Sequence, residues 1–202
     1  MKKVLCYGDS NTFGYNPKNG KRFDKNIRWS GILKSNLIDK YEVIEAGMNN
    51  RVGFLNSPCG FEYSAINHLP KLLEDYSEID FLILSVGTND LQYAYNASLE
   101  TIEQGLLKLI NLVKNKCRRI LIIAPVVLDE KILQGNFSCM FNNTSVNKSK
   151  NLPQIYKKIS EITECYYFDF NEITQPSDID GLHYDENSHK IIAEILSKFL
   201  LQ

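Results

Sequence analysis

At 202 residues the chain is long enough to bury a substantial core and short enough to form one domain over residues 1–202. Its 23 basic and 24 acidic residues leave a net charge of −1, and no stretch carries the excess of Lys and Arg that a nucleic-acid partner would require. No apolar run approaches the length of a membrane span, so a membrane partner is not expected either.

The pattern in chain order is one of short apolar runs alternating with longer helical ones. Residues 3–7 form the first strand candidate, and Gly8-Asp9-Ser10 breaks it too early for a signal-peptide core. Residues 11–27 then read as an irregular stretch, residues 29–39 as a helix, and 41–45 as a second strand. A helix over 63–75, a strand over 81–86 and a helix over 99–116 follow. In that last helix Leu99, Ile102, Leu106, Leu109, Ile110 and Val113 recur at helical spacing. A strand over 119–124, a second long irregular stretch over 126–150, a helix over 152–163, a strand over 166–170 and a helix over 187–200 complete the pattern. Lys114, Lys116, Arg118 and Arg119 read as a solvated helix end. Each strand candidate is about five residues and mostly apolar, as for strands covered on both faces. The alternation predicts an α/β fold of three layers, α/β/α, around a five-stranded parallel sheet in the flavodoxin-like order 2-1-3-4-5.

The five cysteines, Cys6, Cys59, Cys117, Cys139 and Cys165, show no CxxC spacing, so no metal is expected and the thiols read as reduced. With no leader segment recognised, the expected location is cytoplasmic. Asn136, Asn142 and Asn147 head Asn-x-Ser/Thr triplets that read as accidents of an Asn-rich composition.

Loops leaving the carboxyl ends of strands surround the ligand crevice in such sheets, and three short segments there carry chemistry. In Gly8-Asp9-Ser10-Asn11-Thr12 the serine is either a helix-capping turn residue or a hydroxyl presented beside unpaired backbone N–H groups. In Asp180-Gly181-Leu182-His183 the i, i+3 spacing lets a carboxylate brace an imidazole, the side chain best suited to act as a base near neutral pH; a surface turn before the last helix is the other reading. Gly87-Thr88-Asn89-Asp90 is an ordinary strand-end turn or a site where the Asn89 amide serves an oxyanion while Asp90 caps a helix or ties the loop. His68 reads as a surface or core-edge residue and His189 as a structural polar one. Phe137, Met140 and Phe141 either line an acyl pocket or anchor their loop.

Together, Gly8-Asp9-Ser10, the turn Gly47-Met48-Asn49-Asn50-Arg51, Gly87-Thr88-Asn89-Asp90 and Asp180-Gly181-Leu182-His183 resemble the motifs of the SGNH (GDSL) hydrolase family. Arg28-Trp29, Val43-Ile44-Glu45-Ala46-Gly47 and the extension to Tyr184 are most similar to its arylesterase/acyltransferase branch. The resemblance implies a cofactor-free serine esterase acting on short acyl or aryl esters through an acyl-enzyme, with acyl transfer to alcohols in some members. Ser10 would be nucleophile, His183 base and Asp180 its orienting acid. The oxyanion hole would comprise the backbone N–H groups of Ser10 and Asn50 and the Asn89 side chain. Asp9, Trp29, Phe137 and Phe141 are the expected substrate-binding residues, although Trp29 also reads as packing at the base of its helix. Asn50 departs from the small residue usual in the family, which leaves a carbohydrate O-deacetylase as the alternative and a thioesterase or a non-catalytic binding module behind it. The expected partner is a small ester, and the resemblance leaves a homo-oligomer open.

Overall fold

The computed structural model describes residues 1–202. Five parallel strands, β1 (Lys2–Gly8), β2 (Tyr41–Gly47), β3 (Ile79–Ser85), β4 (Cys117–Ile123) and β5 (Tyr166–Phe168), form one sheet in the order β2-β1-β3-β4-β5. This is the predicted α/β fold and strand order. The central strands β1 and β3 are apolar on both faces because helices cover both: Val4, Leu5, Cys6 and Tyr7 of β1, and Leu82, Ile83 and Leu84 of β3, are wholly buried.

Helices α1 (Ser10–Phe13), α2 (Trp29–Asn36), α3 (Ala65–Leu72), α4 (Leu99–Val113), α5 (Asn143–Ser149), α6 (Leu152–Thr163) and α7 (Glu186–Leu201) follow in chain order. α2 packs with α7, while α4 packs with α3 and α6. The apolar stripe of α4 faces inward as expected, with Ile102, Leu106, Leu109, Ile110 and Val113 buried. Burying one such side chain stabilises the fold by about 1.5–3 kcal/mol. Ser98 caps α4 by accepting the Thr101 N–H, and Asp185 caps α7 by accepting that of Ser188.

Several expected boundaries move. The helix expected over 29–39 ends at Asn36, and the one expected over 63–75 is the α-helix Ala65–Leu72 flanked by short 3-10 turns. β5 stops at Phe168, two residues early. Arg118 and Arg119 lie on β4 rather than at a helix end, with their side chains exposed at the sheet's amino-terminal edge. The larger corrections concern the two stretches read as irregular. Residues 11–27 begin inside α1, and 126–150 contain a 3-10 turn at Glu130–Leu133 and all of α5. The signal for α5 is local: Asn142 and Ser145 form a reciprocal capping box, each side chain accepting the other's backbone N–H.

The chain leaves β1 toward β2 and later returns to the other side of β1 with β3. The crevice of such a sheet lies at this reversal, between the carboxyl ends of β1 and β3, where the Asp9 N–H donates to the Ser85 carbonyl at 3.1 Å. α1 sits directly against the end of β2: a Cβ at Gly47 would collide with the backbone of Thr12 and Phe13. Gly14, at φ 84°, supplies the left-handed residue that ends α1 after one turn.

Candidate active site

Ser10 opens α1 immediately beyond β1. The helix is capped by Asp9, whose carboxylate accepts the Asn11 N–H at 3.0 Å. As first residue of a helix, Ser10 has a backbone N–H with no acceptor in the protein. The Ser10 hydroxyl lies 2.9 Å from His183 Nε2. His183 Nδ1 lies 2.7 Å from Asp180 Oδ2. Because an ionised carboxylate only accepts, Nδ1 donates to Asp180 and Nε2 is left to accept the Ser10 hydroxyl proton.

The Asp180–His183 pair is shaped by its own turn. The second carboxylate oxygen of Asp180 accepts the N–H groups of Leu182 and His183, both at 3.0 Å, and Gly181 takes a φ of 66°. Burial pushes the Asp180 carboxyl up, but the hydrogen bond and charge of His183, with the two backbone N–H donors, outweigh it and hold it below its ordinary value. The imidazole is flanked by Tyr15, with ring centroids 4.2 Å apart, and by Phe137 at 5.2 Å.

Facing Ser10 across the crevice is the turn after β2. Asn50 adopts a φ of 59°, a left-handed conformation that Asn tolerates better than most residues, and its N–H has no acceptor in the protein. The turn is held by the buried Arg51. Its guanidinium donates to the carbonyls of Gly8 at 2.8 Å, Ala46 at 2.5 Å and Glu62 at 3.1 Å, and lies 4.1 Å from the Tyr7 ring. Asn89 is locked in orientation: its Nδ2 donates to the Arg51 carbonyl at 3.0 Å and its Oδ1 accepts from Gln92 Nε2 at 2.9 Å. One Nδ2 hydrogen stays free. Asp90 does not cap a helix; it ties the loop after β2, accepting the N–H groups of Gly53 at 2.5 Å and Phe54 at 2.9 Å.

These groups share a pocket of about 250 Å³ lined by Ser10, Tyr15, Asn49, Asn50, Asn89, Phe137, Met140, Phe141, Leu182 and His183. The structure thus brings together Ser10, Asn50, Asn89, Asp180 and His183, and places Phe137 and Phe141 on the wall. Asp9 and Trp29 lie outside this lining, and for Trp29 the structure matches the reading as packing at the base of its helix. Neither reaches the pocket: Asp9 is spent on capping α1, and Trp29 is buried behind it, its indole N–H donating to the Asn11 carbonyl at 3.1 Å. Tyr15, Asn49 and Leu182 were not anticipated. Tyr15 was the most accessible of these to sequence reasoning, being an aromatic five residues past Ser10 in a stretch bordering the crevice. His68 bonds the Tyr7 hydroxyl at 3.0 Å, away from the pocket. His189 is fully buried beside Trp29, whose backbone N–H it accepts at Nδ1.

A family model described as GDSL-like lipase/acylhydrolase matches residues 4–196. The chain belongs to that family. It is an SGNH-type serine hydrolase of carboxylic esters. No curated protein sequence matches it. Among solved structures, a carbohydrate acetylesterase family member from Sinorhizobium meliloti is 27% identical, with a TM-score of 0.89 over 99% of this chain and 97% of the other. The native aryl esterase of M. smegmatis shares the fold at a TM-score of 0.91 and 23% identity, covering 100% of this chain and 99% of its own. A lipase/acylhydrolase from Enterococcus faecalis is more distant, at a TM-score of 0.69 and 16% identity over 99% and 95% of the two chains. No helix of this hydrolase is long and apolar enough to cross a membrane.

Proposed function

We propose that the hydrolase cleaves short-chain acyl esters by a two-step acyl transfer with Ser10 as nucleophile, His183 as general base and Asp180 as its orienting acid. The observation that carries this reading is the continuous hydrogen-bonded chain Ser10–His183–Asp180 opening into the 250 Å³ pocket. His183 Nε2 takes the hydroxyl proton as Ser10 Oγ attacks the ester carbonyl. The resulting oxyanion is stabilised by the N–H groups of Ser10 and Asn50 and the free Asn89 amide hydrogen. The imidazolium, held by Asp180, returns the proton to the leaving alkoxide, which departs as the alcohol. Water, or a second alcohol, then gives up a proton to His183 and attacks the acyl-serine; as the acid or new ester leaves, His183 returns that proton to Ser10 Oγ and the resting site is restored.

The size of the pocket supports a short acyl group, packed against Phe137, Met140 and Phe141. A second reading, hydrolysis of acetylated sugars, is favoured by Asn49 and Asn50 on the pocket wall, which give it hydrogen-bonding groups suited to hydroxyls. The 27% identity to a carbohydrate acetylesterase family member supports the same reading.

The test is hydrolysis of p-nitrophenyl acetate by purified Ser10→Ala, with fluorophosphonate labelling of the wild type. Turnover should fall by roughly four orders of magnitude or more, and the label should attach to Ser10 alone. Undiminished hydrolysis would remove Ser10 from the mechanism. Acetylated xylose compared with p-nitrophenyl acetate as substrate separates the two readings by the ratio of kcat/KM.

A further inference from the structure

Asn11 directly follows Ser10, yet it is buried and takes no part in the pocket wall. Its side chain instead crosses to a segment 171 residues away in sequence. Nδ2 donates to the Leu182 carbonyl at 3.3 Å, and Oδ1 accepts the Tyr184 N–H at 3.0 Å. These are the two residues on either side of His183. The Asn11 backbone is fixed as well: its N–H donates to Asp9 and its carbonyl accepts the Trp29 indole N–H.

The two halves of the Ser10–His183–Asp180 chain are held in different ways. The Asp180–His183 bond is internal to one turn, organised by Asp180 itself through the Leu182 and His183 N–H groups. The Ser10–His183 bond, by contrast, joins segments from opposite ends of the chain. Beyond that bond, the hydrogen bonds that tie the Asp180–His183 turn and Tyr184 to α1 are those of the Asn11 amide, which is joined to Ser10 by one peptide bond and grips the backbone on both sides of the imidazole. Both of its contacts are buried, so a residue that lost them would also leave a carbonyl and an N–H without partners.

We propose that Asn11 is a positioning residue of the acyl-transfer reaction, clamping the His183 backbone so that the Ser10 hydroxyl stays within hydrogen-bond reach of Nε2. The proposal rests on the roles given above to Ser10 and His183. It also gives Trp29 a place: the indole holds the Asn11 backbone from behind and touches no substrate. A shift of about 1 Å between hydroxyl and imidazole would carry the pair beyond hydrogen-bond range and slow a proton transfer about 100-fold.

The experiment compares wild type, Asn11→Leu and Asn11→Asp, with kcat normalised to the sites titrated by a burst of p-nitrophenol. Asn11→Leu removes both contacts at similar volume. Asn11→Asp keeps the shape and the acceptor for the Tyr184 N–H but loses the donor to Leu182, and it serves as the decisive variant if the leucine protein does not fold. Normalised kcat should fall about 10- to 100-fold in Asn11→Leu and less in Asn11→Asp, with KM within about three-fold of wild type. Fluorophosphonate labelling should slow in parallel, while the proton NMR signal of His183 Nδ1–H persists because its bond to Asp180 is untouched. A folded Asn11 variant with normalised kcat within about two-fold of wild type would overturn the proposal, since a purely structural residue lowers the number of working sites and not their speed. Ser10→Ala in the same series separates the two ideas. Full activity there would sink both, whereas an inactive Ser10→Ala beside a fully active Asn11→Leu would sink only this one.

Discussion

The two ends of the sheet treat polar groups in opposite ways. At the amino-terminal end the Arg118–Glu78 pair stays in water: the two lie 3.1 Å apart, with side chains 61% and 54% exposed. An exposed pair of this kind contributes at most about 1 kcal/mol. At the carboxyl-terminal end Asp9, Asn11, Arg51, Asn89, Asp90, Asp180 and His183 are all buried. Burying such groups is costly unless each finds a partner, and each of the seven does. The side-chain atoms left without a partner, Thr12 Oγ1, Asn49 Oδ1 and His189 Nε2, belong to this end too. The amino-terminal end is therefore tolerant, while the seven buried groups at the carboxyl-terminal end depend on their partners. Substitutions that remove one partner at the latter should be expensive in activity or stability, and equivalent ones at the former nearly silent.

The strongest way to break that contrast is at Asn89. In the proposed mechanism its free amide hydrogen serves the oxyanion, so Asn89→Ala should lower kcat by about 100- to 1,000-fold with a smaller effect on KM. Steady-state kinetics on p-nitrophenyl acetate is the measurement. Arg118→Ala, at the opposite end, is the matched control and should leave kcat unchanged. Equal effects from the two would dissolve the distinction between the ends.

The same contrast explains what could be read from sequence. The fold was legible because each strand carries a short apolar run and α4 has an apolar stripe, signals that survive without knowledge of tertiary contacts. The Ser10, Asn89 and Asp180–His183 segments were legible because each lies at a strand end or beside a turn, in the order that brings them to one edge. For Trp29 and Asp9, sequence proximity to the site does not say which way a side chain points; both face back into the protein, Trp29 as the packing reading had it. Arg51 and Asn11 stand inside recognised segments, but nothing there assigns them a role, since their side chains bind backbone groups, several of them on segments distant in sequence. The helix α5 was lost in the 126–150 stretch because seven polar-rich residues are too few to show a periodicity, and only the capping box at Asn142 marks its start.

Asp90 sharpens the comparison on the side of stability. Both carboxylate oxygens accept backbone N–H groups of the loop after β2, so Asn at this position would point an amide N–H₂ at one of those donors. Asp90→Asn should cost about 1–3 kcal/mol in urea unfolding, with little change for Glu78→Gln at the exposed end. Burial, only partly offset by the two donors, pushes the Asp90 carboxyl up to about 7. Its folded value is therefore raised above the ordinary 3.8, so its contribution is fully present below that value and is lost as pH rises through 7. The penalty of Asp90→Asn should accordingly be larger at pH 5 than at pH 8.

His189 offers the smallest and most specific test, because its titration runs against that of Asp90. It is fully buried with Nε2 unpartnered, and burial lowers its value to about 3 from an ordinary 6.5. A histidine whose folded value is depressed is stabilising while neutral: the contribution is complete above 6.5 and declines as pH falls toward 3, because the unfolded chain takes up the proton first. His183 and Asp185 are the charged or titratable neighbours that act on it, the first opposing protonation and the second favouring it. Gln at this position retains an acceptor for the Trp29 N–H and cannot titrate. Between pH 6 and pH 5 the wild type should therefore lose about 1 kcal/mol more stability than His189→Gln in urea unfolding. Parallel stability curves for the two proteins over that interval would mean that the imidazole takes up a proton no more readily in the unfolded chain than in the fold, and that this end of the sheet is less dry than its burial implies.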